Sequence, residues 1–245
     1  MPKFFFDIES LGGYQIDLIG ETAFHVINVL RHAPGDIVLL CDGAGTDYVT
    51  KLVKSETRKK STIAKFEVLD VKKCITEPPI FVHLYQSVIK WENFDFAIQK
   101  AVEVGVSEIT PIVTKRCIYK LSDVEKKTER LNRIAKSAAE QSERGIVPKV
   151  NKPIKFDDSL KNRESARFFA CCDEKVNLIT RLEGRRLKKA DIWIGPEGDF
   201  TDQEKKSLIS NNIIPFSLGP RTLRAETASI VTIAALVMLA HDKQL

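Results

Sequence analysis

A two-part chain, a small β-rich domain followed by a larger α/β domain, is what the sequence predicts, on three observations. Short alternating apolar segments crowd the first 75 residues. A Pro78-Pro79 break follows them. Beyond it, apolar strand-like runs alternate with helical patterns as far as the carboxyl end. At 245 residues with 43% hydrophobic side chains, the chain has enough apolar surface for a sizeable core.

In the first part, residues 15–18, 37–40, 47–52 and 62–69 are strand candidates separated by turn residues, and together they suggest a small barrel. A helix is expected over residues 22–31, with Phe24, Ile27, Val29 and Leu30 on its inner side and Pro34-Gly35 ending it. Arg58-Lys59-Lys60 falls between two strand candidates, where it is either a solvated hairpin tip or a phosphate contact. Pro78-Pro79 can continue neither a helix nor a central strand, so a boundary belongs near residue 75, dividing 1–75 from 76–245.

In the second part, strands are expected at 80–85, 108–113, 167–171, 191–194 and 213–218. Helices are expected at 93–104, 123–143, 203–211 and 225–241, the last apolar on nearly every side and therefore buried all round.

Thirty-eight Lys and Arg against 33 Asp and Glu leave a net charge of +5, a mild bias compatible with a polyanionic partner. The five cysteines show neither a C-x-x-C pair nor a His/Cys ligand cluster, which points to a reducing compartment and no structural zinc. The amino terminus turns acidic too early for a signal peptide, so no export is expected. The apolar stretch 230–240 is shorter than the roughly 20 residues that span a bilayer, so no membrane association is expected. P-loop, G-x-G-x-x-G and G-x-S-x-G patterns are absent, which argues against a P-loop NTPase, an ordinary Rossmann site and a serine hydrolase.

Two segments stand out. Ile194-Gly195-Pro196-Glu197-Gly198-Asp199-Phe200 and Leu218-Gly219-Pro220-Arg221-Thr222-Leu223-Arg224-Ala225-Glu226 each lie between a strand and a helix. Such loops at strand carboxyl ends offer bare backbone groups to a small molecule. Thr201-Asp202-Gln203-Glu204 has the capping-box spacing that starts a helix directly after the first loop. Arg224 and Glu226 are either a simple ion pair or aimed at a substrate. A third segment, residues 138–145, ends the long helix in polar side chains that include Glu140 and Arg144.

Six ordered motifs carry a family resemblance: residues 25–31 with Pro34-Gly35-Asp36 and Asp42-Gly43, residues 100–106, Thr114-Lys115-Arg116-Cys117, residues 138–144, and the two Gly-Pro loops. With them the chain resembles the bacterial 16S ribosomal RNA uridine-N3 methyltransferases of the SPOUT class. The resemblance implies an α/β SPOUT, trefoil-knotted methyltransferase domain behind a small N-terminal PUA-like β-barrel that grips RNA. It implies S-adenosyl-L-methionine as methyl donor with no metal, a homodimer, a cytoplasmic location, and 16S rRNA of the small ribosomal subunit as partner. Ile194, Gly195, Glu197, Gly198, Leu218, Gly219, Leu223 and Arg224 then hold the cofactor. Arg224, Glu226, Arg144 and Glu140 are the catalytic candidates, and Lys3, Arg31, Lys115 and Arg116 the RNA contacts. A methyltransferase of another RNA, or a non-catalytic RNA-binding assembly factor, are the alternatives. The chain departs from the family where glycine is usual, at Glu143 and Asp199, and also at Thr222 and Pro2-Lys3.

Overall fold

The computed structural model describes residues 3–58, 61–161 and 165–242, so the Arg58 side chain, Lys59 and Lys60 of the basic cluster lie outside what is described. Two compact units emerge: one runs to Glu77 and includes Ala139–Val147, and the other comprises Pro78–Ala138 and Pro148 onward.

The first unit contains β1 (Lys3–Phe5), β2 (Leu11–Gly12), β3 (Gln15–Ile19), α1 (Glu21–Phe24), β4 (Ile37–Cys41), β5 (Thr46–Arg58) and β6 (Ser61–Lys73). Its six-stranded sheet has the order β1-β4-β5-β6-β3-β2, antiparallel except for the parallel β1–β4 pair. Alternation explains the register. Ile16 and Leu18 point inward from β3, Val38 and Leu40 from β4, and Ala64 and Phe66 from β6, all buried in one core.

The expected helix over 22–31 is shorter and turned differently. α1 passes into a π-type turn, His25–Val29, in which the Leu30 amide reaches the His25 carbonyl at 3.0 Å. That wider turn rotates the chain, burying Ala23 and Val26 while Phe24, Val29 and Leu30 are 50%, 56% and 40% exposed.

The second unit contains β7 (Phe81–Ser87), α2 (Trp91–Glu103), β8 (Glu108–Val113), α3 (Leu121–Glu125), α4 (Thr128–Gln141) as far as Ala138, β9 (Lys149–Val150), β10 (Ile154–Lys155), α5 (Phe156–Ser159), β11 (Ala166–Ala170), α6 (Leu178–Leu182), β12 (Lys189–Ile194), α7 (Asp202–Ser210), β13 (Ile214–Phe216) and α8 (Ala225–Asp242). Its strands run parallel in the order β10-β8-β7-β12-β11-β13, with β9 beside β8. The long helix expected over 123–143 is two helices. Lys127 closes α3 with an i→i−3 bond to the Val124 carbonyl, and its own carbonyl then starts α4. α4 stops at Gln141, and Glu143 takes a left-handed φ of +56°, a conformation glycine adopts at lower cost.

β7 and β12 are buried on both faces, as central parallel strands are. Tyr85 stacks on Trp193 at 4.4 Å, and the core continues through Phe169, Phe200, Leu208 and Ile213. α8 packs on α2, β7 and β12. It is not buried all round, contrary to the expectation from its composition. Ser229, Thr232, Ile233 and Leu236 face the core, while Val231 is 42% and Met238 67% exposed.

Because the strands are parallel, the loops after β7, β8, β11, β12 and β13 all leave one edge of this sheet. That edge positions the site.

Candidate active site

A cleft of about 920 Å³ opens at this edge, lined by both Gly-Pro loops, by the 171–177 loop after β11, and by Lys90 and Asn93 after β7. Parallel pairing of β11 with both β12 and β13 brings the three loops together.

Each loop is held by its own hydrogen bonds. In the first, Thr201 and Glu204 form the expected capping box: the Thr201 amide and hydroxyl both donate to Glu204 Oε2 at 2.8 Å. The other oxygen, Oε1, accepts from the Lys115 amide at 2.8 Å, tying in the loop after β8. A turn from the Asp199 amide to the Pro196 carbonyl (2.9 Å) places Asp199 at a φ of +60°, and its Oδ1 accepts from the Phe200 amide at 2.7 Å. Glu197 Oε1 accepts from the Lys90 amide at 3.1 Å, and the Arg116 guanidinium donates to the Gly198 carbonyl. A Cβ on Gly195 would sit 3.2 Å from both Asp199 Oδ1 and the Phe200 amide nitrogen, so a side chain there requires the loop to give by a few tenths of an ångström.

In the second loop, Gly219 has a φ of +106° and its amide donates to Ser217 Oγ at 3.1 Å. The 171–177 loop is hooked to it through Ser217 to Val176 (2.9 Å) and Leu178 to Ser217 (3.1 Å) backbone bonds. Sequence reasoning missed this third loop, and Lys90 and Asn93 with it. The signal was present, since β7 and β11 end at the same edge as the strands that carry the Gly-Pro loops.

The cleft brings together Ile194, Gly195, Glu197, Leu218, Gly219, Leu223, Arg224 and Glu226. Gly198 stands beside it with its carbonyl turned to Arg116. Arg224 is exposed and, among the described residues, makes no side-chain hydrogen bond or ion pair. Glu226 is 6% exposed and its Oε2 is buried without a hydrogen-bond partner. The Arg224–Glu226 ion pair open from sequence is therefore not formed.

Arg144 and Glu140 belong to the first unit. Arg144 is 3% exposed, its Nη2 2.7 Å from Glu77 Oε2, and Glu77 Oε1 accepts from the Gly145 (2.9 Å) and Ile146 (3.0 Å) amides. Glu140 Oε1 accepts from the Phe5 amide at 3.4 Å. Of the expected RNA contacts, Arg31, Lys115 and Arg116 are exposed. Lys3 is not on the surface: it is 3% exposed, with Nζ 2.8 Å from Asp47 Oδ1 and 3.2 Å from Cys74 Sγ. Desolvation of an unpaired ammonium is costly, and this pairing is what allows Lys3 to be buried.

Burial pulls the Lys205 ammonium down, but hydrogen bonds to Asp173 and Asp199 outweigh it and hold the group charged well above the ordinary lysine range. Cys172 lines the cleft, and burial first, then the Asp199 charge, pushes its thiol up. Among the described residues, no group of three or more His, Cys, Asp or Glu side chains is placed to hold a metal.

Known proteins match this arrangement. A family model described as an RNA methyltransferase domain covers residues 76–237, and one described as an RNA methyltransferase PUA domain covers residues 18–66. Ribosomal RNA small subunit methyltransferase E of Buchnera aphidicola is 32% identical over 92% of this chain and 88% of its own length. The Bacillus subtilis protein of that name is 29% identical over 89% and 88%. The crystal structure of ribosomal RNA small subunit methyltransferase E from Neisseria gonorrhoeae bound to S-adenosyl methionine superposes with a TM-score of 0.85, at 29% identity, over 98% of both chains.

Proposed function

This chain belongs to the ribosomal RNA small subunit methyltransferase E family, and from that premise we propose that it methylates N3 of a uridine in 16S rRNA with S-adenosylmethionine as donor. The observation that carries the reading is the single cleft enclosed by the two Gly-Pro loops. Its volume suits a nucleoside-sized ligand, and the orphaned Glu226 Oε2 in its wall is an acceptor awaiting a donor.

Ile194, Gly195, Glu197 and Gly198 on one side, and Leu218, Gly219, Leu223 and Arg224 on the other, would hold the cofactor. When bound, S-adenosylmethionine supplies an electrophilic methyl group. The chain is left with positioning and charge. Neutral uracil N3 carries a proton and has no lone pair free for attack, so negative charge develops on the base as that proton leaves. Arg224, unpaired at the cleft, is the cation that stabilises it. Glu226 orients the base or accepts the proton. The Arg144–Glu77 ion pair and the Phe5 amide bond to Glu140 support a positioning role for these two candidates.

N3 lies on the Watson–Crick edge, so the target nucleotide is unpaired or extruded when it reacts. Exposed Arg31, Lys115 and Arg116 supply phosphate contacts, and their loss flattens the salt dependence of binding. A second copy of the chain completes the assembly. The uncovered apolar side chains of α8, Val231 and Met238, together with Phe96 of α2 (46% exposed), support that pairing. α8 is long and apolar enough by composition to cross a membrane, but its packing on β7 and β12 supports a core helix in a cytoplasmic enzyme.

The test is methyl transfer from labelled donor to free rRNA and to small subunits, with the product mapped by mass. N3-methyluridine in 16S rRNA is expected. Donor binding without transfer would support the assembly-factor alternative, and a methyl group on another RNA would reassign the target.

A further inference from the structure

Trp91 opens α2 directly beside the cleft, between Lys90 and Asn93, which line it. The chain has two tryptophans. Trp193 is 0% exposed in the core, whereas Trp91 is half-buried. The indole of Trp91 is braced from within by buried Phe94, edge-on at 6.1 Å and 87°. On another side it meets half-buried Tyr119 at 4.7 Å, inclined by 40°, and Lys127 Nζ lies 4.4 Å over the ring. Tyr119 belongs to the loop after β8, where Lys115, Arg116 and Lys120 are exposed and Ile118 is 69% exposed. From residue 115 to 127 the chain carries Lys115, Arg116, Lys120, Lys126 and Lys127 against only Asp123 and Glu125. The Arg116 bond to the Gly198 carbonyl fastens this basic, aromatic segment to the first Gly-Pro loop.

The geometry points to a stacking platform, formed by Trp91 and Tyr119, for an unpaired base of single-stranded RNA that flanks the reacting nucleotide. The inference rests on the RNA-methylating reading above. Aromatic faces among cations are the chemistry that holds single strands without regard to sequence, because every base has a π-face and every nucleotide a phosphate. A cation over an accessible ring is held more weakly than a stacked base, so the base displaces Lys127, whose ammonium then meets the phosphate.

Intrinsic fluorescence tests this directly, since Trp193 is sealed in the core. Titrating the full chain with a short single-stranded oligouridylate quenches the Trp91 emission. Trp91→Phe removes the quenching and keeps affinity within about threefold, while Trp91→Ala, checked for an unchanged melting curve, weakens binding about tenfold. The proposal is overturned if Trp91→Ala binds as tightly as the native chain. It is equally overturned if a duplex hairpin or polyglutamate quenches as well as the single strand. Methyl transfer separates the two readings. If the native chain methylates RNA and Trp91→Ala does so with unchanged KM for RNA, the platform falls and the enzyme stands. If the native chain stacks the oligonucleotide but transfers nothing, the enzyme falls and the platform stands.

Discussion

Asp199 Oδ2 lies 2.8 Å from Lys205 Nζ while the Asp199 backbone is held at a φ of +60°. Lys205 also reaches Asp173 Oδ2 at 2.7 Å, so one ammonium joins the loop after β11 to the loop after β12 across a corner of the cleft. The family resemblance predicts glycine at position 199, and the left-handed backbone explains why. The carboxylate here offsets part of that strain by binding Lys205 and the Phe200 amide.

Replacing Asp199 therefore separates two effects. Asp199→Ala keeps the strain and loses the ion pair, and should cost about 1–2 kcal/mol in urea unfolding. Asp199→Gly loses the pair but relieves the backbone, and should stay within about 1 kcal/mol of the native chain. Both variants, and Lys205→Met, should bind S-adenosylmethionine more weakly by calorimetry. Equal stability of the Ala and Gly variants would refute the strain argument.

Stability should also depend on pH through His83. In register across five strands lie Arg167, Asp191, His83, Glu108 and Lys149. His83 is 7% exposed and accepts or donates a 2.8 Å hydrogen bond with Thr110 Oγ1. Burial lowers its pKa most. Glu108 and Asp191 raise it, Lys189 lowers it, and the result lies below the ordinary histidine value. The folded state therefore takes up a proton less readily than the unfolded chain. Its stability is complete above the unfolded pKa, near 6.5, and is lost progressively as pH falls below that value. Denaturation at neutral and at mildly acidic pH should show this fall, and His83→Gln should flatten it.

Arg144 and Glu77 form an ion pair whose side chains are 4% and 20% exposed. Arg144→Ala strands the Glu77 carboxylate and should cost roughly 3–5 kcal/mol, visible as a lower melting temperature. Glu77→Gln keeps an acceptor for the Gly145 and Ile146 amides but takes the Glu77 counter-charge from the buried Arg144 guanidinium, and should cost a comparable amount. Gly145→Ala would drive a methyl group into Cys74 and should destabilise by about 1–3 kcal/mol. If Arg144→Ala loses methyl transfer with its melting temperature intact, the residue is catalytic after all.

Arg224 behaves oppositely because it is exposed and its side chain has no partner among the described residues. Arg224→Ala should keep the fold and donor binding yet lose methyl transfer by about two orders of magnitude or more, the usual effect of removing one preorganised charge. Glu226→Gln should fold normally and shift the pH profile of transfer. Unchanged turnover in Arg224→Ala would remove its assigned role.

Much of this was legible in local chemistry. The capping box of Thr201 and Glu204, the strand–helix alternation beyond residue 80 and both Gly-Pro loops follow from spacing within a few residues, and all appear as expected. The break between α3 and α4 has no glycine or proline to announce it. The inner face of α1 depends on a π-type turn that a 3.6-residue period cannot anticipate.

The sequence by itself thus determined which segments become rigid loops at strand ends, because capping, glycine tolerance and apolar periodicity act over one or two turns of chain. Only the tertiary structure decided that β11 lies between β12 and β13, so that three loops enclose one cleft. It also decided which charges are free. Lys3 and Arg144 are buried beside Asp47 and Glu77, while Arg224 faces the cleft unpaired. Strand order and charge burial depend on partners tens of residues away, and desolvation is felt only once those partners have packed.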